Sequence, residues 1–230
     1  NRSSRGLGDV YKRQLIEKIA LPGEILSVTF TNKAANEMRD RITNQIGDMS
    51  SGLKWLGTFH SVGAQILRFH PNKLGLENDF IILDTDDQVR LLKQIIKDEN
   101  IDDKRWPAKQ LLNLIDKWKN KGLYPEDISS NDGDYFANGK GHLLYKIYQE
   151  RLKYFNAVDF GDLILESIRL LENNQDILDS YQNRFKYILV DEYQDTNVSQ
   201  YKLLKLLTGK YQNICCVGDD DQSIYSWSCL

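Results

Sequence analysis

The sequence is poor in several features that would have classified it at once. Only three of its 230 residues are cysteine. Cys215 and Cys216 are adjacent inside an apolar run, and Cys229 is close to the end. Neighbouring residues in a strand point to opposite faces, so the adjacent pair cannot grip one ion, and no metal-ligand spacing is present. The cysteines therefore read as buried thiols of a reducing cytoplasm rather than as a disulfide framework. No apolar run approaches the roughly 18 residues needed to cross a bilayer, so no membrane contact is expected. Asn1 to Gln14 has no apolar stretch of the kind a secretory signal needs. Neither sign of charge dominates: 30 Lys and Arg stand against 33 Asp and Glu, a net charge of −3. A chain so balanced has no bulk attraction for a polyanion, and any nucleic-acid contact must come from local groups.

What is present is the make-up of a globular chain. Hydrophobic residues account for 41% and charged residues for 27%, enough for a core in one large domain or two small ones. Four short apolar runs read as buried strands: Ile25–Phe30, Trp55–Phe59, Tyr187–Val190 and Ile214–Val217. Helical patterns lie between them, which points to a mainly parallel sheet covered by helices. Thr31-Asn32 is placed to cap a helix through Ala34, Met38 and Ile42, and Ser61 one through Ala64, Ile66 and Leu67.

The middle of the chain differs, with almost no strand signal between about 80 and 170. Thr85 and Gln88 fit a capping box ahead of Val89, Leu92, Ile95 and Ile96. Pro107 can open a helix carrying Leu111, Leu112, Ile115 and Trp118, and Gly122 can end it. Two more helices are expected over Leu143–Phe155 and Leu163–Leu171. Asp132-Gly133-Asp134 and Gly139-Lys140-Gly141 flank what reads as a polar loop. The expected fold is α/β, a parallel sheet with flanking helices interrupted by an all-helical insertion.

Four local constellations carry chemistry. Tyr187–Val190 ends in Asp191-Glu192, which puts two carboxylates at the carboxyl edge of a sheet, where ligands of open α/β folds bind. One carboxylate there can hold Mg²⁺ bridging nucleotide phosphates, and the next can orient and deprotonate a water. The dipeptide alone fits a solvated turn better, and the longer string shifts the balance. In Val217–Trp227, Gln222 is a neutral donor and acceptor suited to a terminal phosphate. Tyr225 and Trp227 follow as aromatic faces on which unpaired bases can stack, at about 1–3 kcal/mol per base. Thr29–Ala35 feeds a strand into a helix whose first turn offers hydroxyls, an amide, a lysine and free backbone N–H groups, a phosphate-binding arrangement. Gly57–Ser61 repeats it one strand later. His60 has no ligand partner nearby, which favours a cap or a DNA contact over a metal.

In this order the strings resemble superfamily 1 helicases of the UvrD/Rep/PcrA group. TFTNKAANEMRDRI, from Thr29, is similar to that family's motif Ia, and GTFHS, from Gly57, to its motif Ib. ILVDEYQDTN, from Ile188, is similar to motif II, the Walker B element. VGDDDQSIYSW, from Val217, is similar to motif III. NAVDFGDLI, from Asn156, resembles a recurrent segment ahead of motif II.

The resemblance spans about residues 15 to 227 and implies a RecA-like domain, 1A, interrupted by a helical domain, 1B. The boundaries it suggests are 15–79 and 176–227 for 1A and 80–175 for 1B. It also implies ATP and Mg²⁺ as cofactors. Single-stranded and 3′-tailed duplex DNA are the implied substrates, with 3′-to-5′ movement in repair or replication. The implied setting is the cytoplasm, as a monomer or weak dimer, with repair or replication proteins as further partners. Carried over by position, Asp191 ligates the metal, Glu192 activates the water, and Gln222 contacts the γ-phosphate. Phe30, Thr31, Asn32 and Lys33 lie along the DNA with Thr58, Phe59 and His60, and Tyr225 and Trp227 form the stacking platform.

The ends depart from the family. A motor of this kind needs a Gly-x-x-x-x-Gly-Lys-Thr loop ahead of the helix leading into motif Ia. Leu15–Ala20 resembles that helix, but residues Gly6 to Gln14 do not contain the loop. After Trp227 the family continues with Arg-Gly-Ala, where this chain has Ser228-Cys229-Leu230. Residues 1–14 and 228–230 are therefore expected to be non-native, GLGDVYKRQ resembling translated adapter sequence. The polypeptide alone is expected neither to hydrolyse ATP nor to unwind DNA. Two other functions fit parts of the pattern: the motor of a RecB/AddA-like helicase–nuclease, and a non-enzymatic single-stranded DNA-binding module.

Overall fold

The computed structural model describes residues 3–46, 52–129 and 132–218. Along the chain run α1 (Ser3–Ile16), β1 (Ile25–Thr29), α2 (Asn32–Ile46), β2 (Leu56–Thr58), α3 (Phe59–Phe69), β3 (Ile81–Ile82), α4 (Thr85–Asp98) and α5 (Ala108–Asn120). They are followed by α6 (Gly141–Tyr154), β4 (Ala157–Val158), α7 (Phe160–Asn173), α8 (Gln175–Arg184), β5 (Tyr187–Val190), α9 (Val198–Leu207) and β6 (Ile214–Cys216). The chain divides into two compact units, Asn1–Ile66 with Ile168–Leu230, and Leu67–Ser167.

The first unit holds a four-stranded sheet in the order β2-β1-β5-β6, parallel at every pairing. This is the expected α/β architecture, a parallel sheet flanked by helices. Strands of such a sheet are covered on both faces and so read as continuous apolar runs. All five residues of β1 are buried accordingly. On one face, Leu7, Tyr11 and Leu15 of α1 and Ala35, Met38 and Ile42 of α2 pack with Ile25, Leu56 and Leu189. Their three- and four-residue spacing makes one apolar stripe per helix. Trp55 sets its ring edge-on to Tyr181 of α8 and to Phe185 at its C-cap, with centroids 5.8 and 5.0 Å apart.

Several details differ from the sequence reading. The helix expected over Leu15–Ala20 instead ends at Ile16. Lys18 turns left-handed at φ 56°, and the N–H groups of Ile19 and Ala20 close onto Gln14 O at 2.9 and 3.2 Å. α3 starts before Ser61, because Thr58 Oγ1 accepts the Ser61 N–H at 3.2 Å and is the cap. The cysteines of β6 are not buried: Cys215 is half-buried and Cys216 exposed, because β6 is the last strand of the described sheet. α8 and α9 were not read from the sequence, although Asn197 and Gln200 form a capping box for α9, each accepting the other's backbone N–H at 2.9 and 3.1 Å.

The second unit is helical except for one short parallel pair, β3 with β4, which the sequence reading lacked. Two residues per strand are too few to show a period. Its core gathers Leu92, Ile95, Leu111, Ile115, Trp118 and Tyr148 among others. α4 is capped by Asp84, whose Oδ1 accepts from Asp87 N at 2.9 Å, rather than by Thr85. Pro107 does precede α5, and Gly122, at φ 71°, follows its end. The loop read as polar buries Phe136 fully, with its ring centre 5.3 Å from that of Trp106. Asp134 in the same loop caps α6, accepting from Gly141 N and His142 N at 3.0 Å each.

Beneath α7 lies a buried ionic cluster. Lys119 Nζ donates to Asp159 Oδ2 at 2.6 Å, Asp162 Oδ1 at 2.7 Å and Gln149 Oε1 at 3.1 Å. Tyr148 Oη donates to Asp159 Oδ2 at 3.0 Å. The two aspartates cap the start of α7 reciprocally, each carboxylate accepting the other's N–H. A Cβ at Gly161 would collide with the Lys119 stem, so the glycine is what lets the lysine reach both acids.

Candidate functional site

All four strands of the first unit end at one edge. Their register pairs Thr29 with Thr58, Val28 with Val190, and Val190 with Cys216. Segments far apart in sequence, 30–33, 58–60, 191–195 and 217–218, therefore meet at the carboxyl ends of neighbouring strands, the edge at which open α/β sheets take ligands.

Asp191 follows β5, is 1% exposed, and is anchored by its N–H to Val28 O at 3.0 Å. Glu192 is left-handed, at φ 51° and ψ 45°, a conformation that costs a non-glycine residue on the order of 1 kcal/mol and clusters at functional sites. Gln194 Nε2 donates to Glu192 Oε2 at 2.7 Å. Burial, and next the charge of Glu192, push the Asp195 carboxyl above the usual carboxylate range. Asp195 Oδ1 and Thr196 Oγ1 are buried and have no hydrogen-bond partner among the described residues.

At the end of β1, Thr31 Oγ1 accepts from Ala34 N at 3.1 Å and so caps α2. Thr31, Asn32 and Lys33 are exposed on that first turn. Phe30 is half-buried and meets Phe59 edge-on, ring centres 5.6 Å apart. Phe59 is 2% exposed, so its ring supports Phe30 from below. Thr58 is buried as the cap of α3. A Cβ on Gly57 would collide with the Ser61 hydroxyl, which donates to Thr58 O at 2.8 Å. Burial pushes the His60 imidazole below its ordinary pKa, so it is neutral at pH 7. Gln222, Tyr225 and Trp227 lie outside the described residues.

Among the described residues no group of three or more His, Cys, Asp or Glu is gathered to hold an ion. A magnesium ion held by one or two carboxylates and completed by phosphates and water needs no such group. The carboxylate pair fits that role. No described segment fits a phosphate cradle, because α1 carries Gly6 and Gly8 inside a continuous helix. Gln194 and Gly218 were given no role from the sequence; Gln194, spaced i and i+2 from Glu192 across a turn, was the available signal.

A parallel sheet flanked by helices, with an acidic pair at the carboxyl end of an inner strand, defines the RecA-like class of α/β domain. Within that class the chain belongs to the family described as UvrD/REP helicase N-terminal domain, whose model matches residues 7–229. It is 47% identical over 214 residues to a "Probable DNA helicase II homolog" of Rickettsia felis (strain ATCC VR-1525 / URRWXCal2), covering 92% of this chain and 32% of that protein. It is 43% identical over 213 residues to the "ATP-dependent DNA helicase PcrA" of Staphylococcus aureus (strain Mu50 / ATCC 700699), covering 93% of this chain and 29% of that protein. The chain thus spans about a third of the length of these curated relatives. No described helix is long and apolar enough to cross a membrane.

Proposed function

We propose that this chain is the amino-terminal part of an ATP-dependent DNA helicase that moves 3′ to 5′ on single-stranded DNA, in repair or replication in the cytoplasm. One observation carries the reading. A single sheet edge joins a buried aspartate and a left-handed glutamate to a capped helix start that exposes Thr31, Asn32 and Lys33. Magnesium-bound ATP, when present, supplies the phosphoryl group to be transferred. Asp191 would hold the metal, and Glu192 would orient the attacking water and take its proton. Gln222 would contact the γ-phosphate. Thr31, Asn32, Lys33 and Phe30, braced by Phe59 and the Thr58 cap, would follow the DNA backbone, with His60 contributing no charge. Tyr225 and Trp227 would stack on bases. The proposed boundaries are 15–79 and 176–227 for domain 1A and 80–175 for domain 1B.

That no phosphate cradle is found among the described residues supports a second reading, a module that binds single-stranded DNA without turnover. Phosphate release in the presence of single-stranded DNA separates the two. The 230-residue chain is expected to show no turnover above background, and the full-length parent protein a DNA-stimulated rate. Turnover by the chain alone comparable to the full-length protein would overturn its inactivity. A full-length protein that binds DNA but never releases phosphate would leave the binding module as the function.

A further inference from the structure

We infer that Gln194 is a positioning residue that holds the Glu192 carboxylate and ties it to the segment leaving β6. The inference rests on the reading of Glu192 as the water-activating group. Gln194 is 8% exposed, and its amide is boxed in on both sides. Nε2 donates to Glu192 Oε2 at 2.7 Å. Oε1 lies against Gly218, where an added Cβ would collide with it. The backbone closes the same joint: Val217 N donates to Val190 O at 2.8 Å, and Tyr193 N to Val217 O at 3.0 Å.

The chemistry favours an amide in this place. Asp191, Glu192 and Asp195 bring three carboxyl groups into one short turn. A fourth acid would repel them, and a cation would quench the base. A neutral donor holds one oxygen of Glu192 without adding charge to the turn. Because the amide is wedged against Gly218, a shift of the 217–218 backbone must move Oε1, and with it the donor on Glu192.

Two arms test this. In the 230-residue chain labelled with carboxyl ¹³C-glutamate, the Glu192 resonance is identified by its loss in Glu192→Gln. Gln194→Met and Gly218→Ala are each expected to move that resonance, with Gly23→Ala, which has open space around its Cβ, leaving it in place. In the full-length protein, Gln194→Met is expected to lower kcat about 10- to 100-fold, the scale of a small misplacement of a reacting group, with KM nearly unchanged. Gln194→Glu is expected to recover part of that loss at acid pH, where its protonated carboxyl still donates, and to lose it as pH rises and the group ionises beside Glu192, Asp191 and Asp195. An unmoved resonance in both folded variants overturns the inference whatever the parent protein does. So does a moved resonance with unchanged kcat. If the unsubstituted full-length protein has no turnover, the helicase reading falls, and the resonance alone decides whether Gln194 holds Glu192.

Discussion

Glu192→Gln is expected to lower DNA-stimulated ATP turnover of the full-length protein by about 10²- to 10⁴-fold, the range by which a positioned general base contributes. The substitution preserves shape. Glutamine fits the same left-handed turn, and its carbonyl oxygen still accepts from Gln194 Nε2. What it removes is the capacity to take a proton. The loss should therefore fall on kcat, with nucleotide and DNA affinity and thermal stability close to those of the parent. Asp191→Asn should behave differently, raising the Mg²⁺ concentration needed for half-maximal rate, because Asp191 is assigned to the metal and not to the water. ATP turnover unchanged by Glu192→Gln would sink the assignment of the base.

The largest effect on folding is expected at Lys119, in the other unit. Lys119, Asp159 and Asp162 are each 1–2% exposed at their side chains. Removing one partner of a buried pair strands the other charge, which typically costs about 3–5 kcal/mol. Lys119→Met should destabilise by that order in chemical denaturation at pH 7.5. Adding Asp159→Asn and Asp162→Asn should return most of it, because asparagine still caps a helix and leaves no stranded charge.

The same cluster fixes the sign of a pH dependence. Burial, and then the neighbouring Asp159 charge, push the Asp162 carboxyl up to about 7, against an ordinary value of 3.8. Burial, then Asp159, push Asp116 up to about 6. Burial works against the Asp159 carboxylate too, but Lys119 with the hydrogen bonds from Asp162 N and Tyr148 outweighs it and keeps that group below the usual range. A group whose pKa is raised on folding adds stability at low pH and loses it as pH climbs through the folded value. Asp162 and Asp116 should therefore make the fold less stable at pH 8 than at pH 5.5. Asp159 opposes this only below about pH 4, its ordinary range. Denaturation midpoints that rise steadily from pH 5.5 to 8, with Asp162→Asn showing the same slope, would contradict this arrangement.

The inner strands of the sheet, β1 and β5, were legible because they are buried on both faces. Ile25–Thr29 and Tyr187–Val190 are near-continuous apolar runs, and such runs announce themselves without any need for a period. The acidic pair was legible because Asp191-Glu192 interrupts one of those runs where a parallel strand must end. β3 and β4 were not, since Ile81–Ile82 and Ala157–Val158 make sense only once paired across 76 residues of chain. The Lys119 cluster was hidden for a similar reason. A lysine on an otherwise amphipathic helix looks like a solvated one until the acids 40 and 43 residues later are placed over it. Phe136 was masked by the glycines and aspartates around it. Gln194 stood in plain view inside the DEYQDTN string but carries no charge, and only the left-handed turn at Glu192 brings its amide back onto the acid.

The outer side of β6 has a consequence for handling the protein. Ile214 is 43% exposed, Cys216 is exposed, and no strand pairs with that side among the described residues. Ile214–Cys216 carries neither lysine nor proline, two of the devices that blunt a sheet's rim, and relies on its shortness alone. Such a rim is adhesive. Chains should come together rim to rim as concentration rises, more so in sulfate than in chloride, giving scattering that grows with protein concentration and falls when a lysine replaces Ile214. A rim left unpaired among the described residues thus sets the colloidal behaviour of the protein.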